Sequence, residues 1–143
     1  MTARWKIGTC LAAFLLLGAS GAPRKDYQNV ETLLETGKTV MGETIVYPPA
    51  PARVSSLVVT MAPGEETGRH KHPVPTYGYI LEGEITVLYE GRGPRTYTEG
   101  EAFMEAEDVW HNGRNSGAGP ARVLVVFMGA EGLSDVAHPK VQP

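Results

Sequence analysis

The chain has one cysteine, Cys10, in 143 residues. No intrachain disulfide can form, and thiolates cannot build a metal site from one residue. Cationic excess is missing too: 13 Lys and Arg stand against 16 Asp and Glu, a formal charge of −3, with no basic stripe or Arg-rich run. That excludes the electrostatic footprint of a nucleic-acid binder. The longest apolar run, Ile7 to Leu17, falls short of the roughly 20 residues that a membrane-spanning helix needs. Internal repeats are absent, and helical periodicity is confined to one short stretch near the N-terminus.

The apolar run follows Arg4 and Lys6 and precedes the small residues Gly18 to Ala22, the layout of a secretory signal. A signal over residues 1–21 is therefore expected, cut after Ala19 or Gly21, giving a periplasmic or secreted protein with no membrane attachment after cleavage. The competing reading, a buried N-terminal helix, lacks an amphipathic neighbour on either side. Cleavage removes Cys10, leaves no thiol, and takes the formal charge from −3 to −5 through loss of Arg4 and Lys6.

What is abundant is punctuation. Gly at 17 and Pro at 11 are spread between short apolar runs, which points to an all-β domain. Residues 22–52 form a lead-in: Val30, Leu33 and Leu34 at helical spacing before Gly37 predict a short helix over Gln28 to Thr36, Val40 to Tyr47 reads as a strand, and Pro48 to Pro51 is a stiff connector. The main domain occupies 53–130, with strands expected at Val54–Ala62, Tyr77–Leu81, Ile85–Tyr89, Arg95–Tyr97, Glu101–Glu105, Val109–His111 and Arg122–Met128. The last is apolar on both faces and should be a central strand. A tail over 131–143, without an apolar period, either wraps the barrel or frays.

His70 and His72 are separated by one residue, so on a strand both imidazoles point to one face. His111 lies in a second Gly-rich block, and three of the four His fall in these two blocks. Convergent imidazoles suit a metal ion held at about 2.0 to 2.1 Å. A lone strand His is more often structural; the paired spacing is what favours ligation. His138, before Pro139, reads as a tail residue. Alternation turns Arg69 and Lys71 away from the metal side. Glu65, Glu66, Glu105 and Glu107 read as solvated loop charges, with Glu105 also placed to approach the metal.

The two blocks resemble the cupin motifs. The first has the form Gly, five residues, His-x-His, three or four residues, Glu, six residues, Gly, matched by Gly64, His70, His72 and Gly83. The second, Gly, five residues, Pro-x-Gly, two residues, His, three residues, Asn, is matched by Gly100, His111 and Asn115, with Ala106 and Asp108 in place of Pro and Gly. Asp tolerates the left-handed backbone that such a turn needs. The resemblance implies an all-β cupin double-stranded β-helix, a jelly-roll-like barrel of the RmlC-like type, with metal at its mouth, and a homodimer; the short N-terminal helix read above from apolar spacing precedes it.

One departure stands out. The position of the motif's Glu ligand is Thr76 on the shorter spacing and Tyr77 on the longer, and neither is an ordinary ligand for a divalent ion. The expected set is therefore His70, His72 and His111, with Thr76, Tyr77 and Asn115 as substrate-contacting or ligand-supporting residues. The cofactor is one divalent transition metal: imidazoles suit Zn, Cu, Fe, Ni or Co, and Mn enters through the resemblance. Without the carboxylate the ion's charge is uncompensated, favouring a small anionic partner. The reading is an exported metal-binding cupin acting on a small molecule, as a dioxygenase, isomerase or lyase. The alternatives are a binding module without turnover and a structural protein that lost catalysis with the Glu.

Overall fold

Most of the β-branched and aromatic residues from Ala52 onward fall within the strands, and these are the side chains that fit a pleated, half-buried surface. The structure, a computed structural model, describes residues 29–140, of which those from Glu31 onward belong to one unit. It contains strands β1 (Ala52–Met61), β2 (Thr76–Glu82), β3 (Glu84–Tyr89), β4 (Gly93–Thr98), β5 (Ala102–Met104), β6 (His111–Asn115) and β7 (Ala121–Ala130). They form two antiparallel sheets, ordered β1-β7-β2-β5 and β4-β3-β6. β7 pairs on both edges, with β1 and β2, as its two-faced apolar sequence requires.

The inner faces of the sheets share one core, with Met61, Ile80, Phe103 and Val123 from the first and Ile85, Val87, Tyr89 and Tyr97 from the second. Gly78 makes one close approach possible. A Cβ there would lie 2.5 Å from the Phe103 ring, so only glycine lets that ring rest on β2. The ring then stacks on Tyr97 at 3.8 Å, tying β5 to the opposite sheet. Asn115 closes the far end: its Nδ2 donates to the carbonyls of Met61 at 3.0 Å and Gly119 at 2.8 Å, and its Oδ1 accepts from the Gly117 N–H at 2.9 Å.

Three expectations are corrected. Residues 29–36 are irregular and no helix occurs among the described residues. The apolar stripe there, Leu33 and Leu34, stays exposed at 46% and 36%, and a helix this short is marginal without packing. Val40 to Tyr47 is not a strand: a tight turn at residues 40–42 lets Lys38 bridge Thr44 around Gly42, whose φ of 87° is left-handed, and residues 45–47 are irregular, while the Val40 N–H donates to Met104 O at 2.9 Å. The strand placed at Val109–His111 begins only at His111 and runs on to Asn115. The expected signal at 1–21 and the last tail residues, 141–143, lie outside the described residues.

The described part of the tail wraps. Lys71 and Ala137 exchange backbone hydrogen bonds of 3.0 and 2.9 Å. Arg53 pairs with Asp135 at 2.7 Å, and Ser55 Oγ donates to the other Asp135 oxygen at 3.0 Å.

Candidate metal centre

A short extended strip carries His70 and His72. His70 and His111 exchange backbone N–H to carbonyl bonds of 2.9 and 2.8 Å, which docks the strip against the first residue of β6. On its other edge Lys71 meets Ala137. The i, i+2 spacing then does what strand geometry dictates: the imidazoles converge while Arg69 and Lys71 turn outward, lying 4.3 and 5.4 Å from the Trp110 ring. Asp108 takes a φ of 55°, the left-handed turn that the family fills with glycine, and places β6 with His111 leading.

One nitrogen from each of His70, His72 and His111 lies within 4.8 Å of the others. All three Nδ1 atoms donate to backbone carbonyls, His70 to Gly68 at 2.8 Å, His72 to Asp135 at 3.0 Å and His111 to Val109 at 2.9 Å. A donor at Nδ1 leaves Nε2 as the lone-pair nitrogen of a neutral ring, the arrangement that orients a metal ligand. His72 and His111 are buried, and burial lowers all three pKa values, that of His72 to about 4. The rings therefore need not shed protons at neutral pH. Nε2 of His111 is buried with no hydrogen-bond partner, an uncommon condition that an ion among the three rings would relieve. The donor set fits a divalent transition metal.

The rings face a cavity of about 290 Å3 between the sheets. Glu105 also lines it. Its carboxyl accepts a 2.6 Å hydrogen bond from Tyr89 Oη, which lies 3.5 Å from Tyr97 Oη. Glu105 keeps some accessible surface, but that surface faces the cavity, and desolvation raises its pKa to about 7 against the opposing pull of Tyr89 and His70. The same desolvation, with the Glu105 charge, pushes the Tyr89 hydroxyl well above its ordinary value, so Tyr89 remains a donor. The carboxyl lies outside the three-His cluster.

Thr76 is buried, and its Oγ1 donates to Val74 O at 2.9 Å. Tyr77 lies on the other face of β2, in a separate surface groove with Tyr47 and Met104. Asn115 is bound up in the turn after β6. The structure thus brings together His70, His72 and His111 and leaves Thr76, Tyr77 and Asn115 away from the cavity lining. Two residues gain a place at the site. His138 lines the cavity with its ring 6.3 Å from that of His70, and Asp135 holds His72. No local signal marks either; both arrive through the Arg53 and Lys71 contacts of the tail.

Residues 57–127 match the cupin domain family. The chain carries a cupin domain. Among solved structures, the cupin domain resembles the DMSP lyase DddQ of Ruegeria pomeroyi DSS-3, at 27% identity and TM-score 0.51, over 59% of this chain and 42% of that one. It also resembles the oxalate decarboxylase of Lactobacillus farciminis in its formate complex, at 20% identity and TM-score 0.52, over 59% of this chain and 26% of that one. The protein BH2720 of Bacillus halodurans matches at 20% identity and TM-score 0.50, over 60% and 65% of the two chains. The aligned region spans less than half of either enzyme. No curated protein sequence matches this chain significantly.

Proposed function

We propose that His70, His72 and His111 hold one divalent transition metal and that the protein is a metal-dependent cupin acting on a small anionic molecule. The observation that carries this reading is the buried, unpartnered Nε2 of His111 beside two further imidazoles whose Nδ1 atoms are already committed. A bound divalent ion supplies a Lewis acid that polarises a ligand oxygen and lowers the pKa of bound water.

The chain's own part is proton handling. Glu105 stands in the cavity beside the His cluster, oriented by Tyr89, with a pKa near neutrality, the condition for exchanging a proton with a bound ligand at physiological pH. Tyr89 and Tyr97 keep that carboxyl fixed, and the apolar walls limit water. This favours isomerase- or lyase-type chemistry over dioxygenase chemistry; the likeness to a DMSP lyase at 27% identity is consistent with it. Export through residues 1–21 and assembly as a homodimer belong to the same proposal; N-terminal sequencing and gel filtration test them.

The deciding experiment is elemental mass spectrometry on the mature chain purified without refolding, beside a His70→Ala, His72→Ala double variant. A near-stoichiometric ion lost in the variant supports the reading. A folded protein with no ion in either form overturns it. The absence of a carboxylate ligand at Thr76 favours a second reading, a binding module. Retention of ligand affinity in Glu105→Gln with no reaction in either protein would select it.

A further inference from the structure

We propose that the ligand of this site is a small molecule with one anionic oxygen head and an apolar body, not a polyol, a sugar phosphate or a short dicarboxylate. For the head, the inference rests on the metal reading above; for the body, it rests on the cavity wall alone. A space of about 290 Å3 holds on the order of ten non-hydrogen atoms at liquid density.

Its ionisable groups gather at one end, and the one other polar side chain in the lining, Thr67, has its Oγ1 taken up by the Gly113 N–H at 3.0 Å. His111 pairs with Tyr89 at the end of β3, and His70, His72, Glu105 and His138 surround that level of the barrel. Away from it the cavity runs to Ile85, four residues back along β3 and so about 13 Å. Leu57 and Val59 from β1, Val87 from β3, and Val123 and Val125 from β7 form its sides. Leu57 is 45% exposed although it lines the cavity, so the wall reaches solvent beside β1 and is apolar there, while Thr67 and His138 reach solvent nearer the polar end.

The cations that would receive a second anionic group are elsewhere. Among the described residues no Lys or Arg lines the cavity. Arg69 and Lys71, the nearest in sequence to the ligand strip, lie over Trp110 and pair with Glu90 and Asp108, each at 2.7 Å. A phosphate, a second carboxylate or a row of hydroxyls placed among valines would be desolvated without partners, a heavy cost. An alkyl or aromatic body placed there is favoured in proportion to its apolar surface.

The test uses the full mature chain loaded with Co(II), titrated with acetate, butanoate, hexanoate and succinate and followed by visible absorption and calorimetry. Affinity is expected to rise about fourfold per added methylene, and succinate to bind at least tenfold more weakly than butanoate. Val59→Phe shortens the slot and should erase the gain from butanoate to hexanoate while leaving acetate unchanged. If that variant does not fold, Leu57→Asp at the half-exposed rim should weaken hexanoate at least tenfold relative to acetate.

A flat series with Co(II) bound, or succinate equal to butanoate, overturns the slot inference and leaves the metal reading standing. A rising series measured by heat on a protein that takes up no Co(II) does the reverse.

Discussion

His72 gives its Nδ1 proton to the carbonyl oxygen of Asp135, 3.0 Å away, and the side chain of that same Asp135 is gripped by Arg53 at 2.7 Å. The tail thus fixes the orientation of a candidate ligand from a distant part of the sequence. Asp135→Ala should therefore lower metal affinity by about tenfold, the low end for loss of a group that orients a ligand, as measured by chelator competition. Asp135→Asn keeps an acceptor for Arg53 and Ser55 and should lose much less. Equal affinity in all three proteins would remove the tail from the site.

Glu105 and His72 should leave opposite marks on the pH dependence of the metal-free protein. Burial raises Glu105 from 4.5 to about 7, so its contribution is fully present below pH 4.5 and is lost as pH rises through about 7. Burial lowers His72 from 6.5 to about 4, so its contribution is present above pH 6.5 and is lost as pH falls through about 4. Denaturant titrations of chelator-treated protein should show wild type losing on the order of 3 kcal/mol relative to Glu105→Gln between pH 4.5 and 8. Parallel stability curves for the two proteins would contradict the buried carboxyl.

Metal should stabilise the native state, because the three imidazoles converge only when folded. At a free concentration one hundredfold above Kd the gain is about 2.7 kcal/mol, roughly 10 °C in Tm for a domain of this size. Scanning calorimetry with and without Zn(II) checks it, and His111→Ala should abolish the shift. A shift that survives in the variant would place the ion elsewhere.

Gly78→Ala tests the packing beneath the site. The new Cβ would sit 2.5 Å from the Phe103 ring, so the ring must leave its stack on Tyr97. A loss of roughly 1–3 kcal/mol is expected, with partial recovery when Phe103→Leu is added. Full stability of the single variant would show that the contact has room to relax.

Much of this was legible in sequence because it depends on short-range rules. Period-2 spacing aimed His70 and His72 together and turned Arg69 and Lys71 outward, two-faced apolarity marked β7 as central, and a left-handed Asp108 stood where the second motif needs one. β6 leaves no strand signal because His-Asn-Gly-Arg-Asn carries no apolar alternation; its outward residues are polar and one inward position is Gly113. In the lead-in, helical spacing at Leu33 and Leu34 describes a stripe without saying whether any surface receives it. His138 and Asp135 could not be found locally, since the contacts that place them close over long separations, as Arg53 and Asp135 do. Glu105 was readable as a loop charge or as a site group, and only its burial against Tyr89 decides between them.

The stack of Arg69 and Lys71 on Trp110 has a consequence for how the strip is laid down. Cations and imidazoles alternate there, so a shift of a single residue would present a guanidinium and an ammonium to the cavity in place of the two rings. Two charges parked on an indole face outside, and the reciprocal bonds of His70 with His111, reject that slip before any ion arrives. The outer face of the barrel thereby acts as a proofreading mark for the inner one.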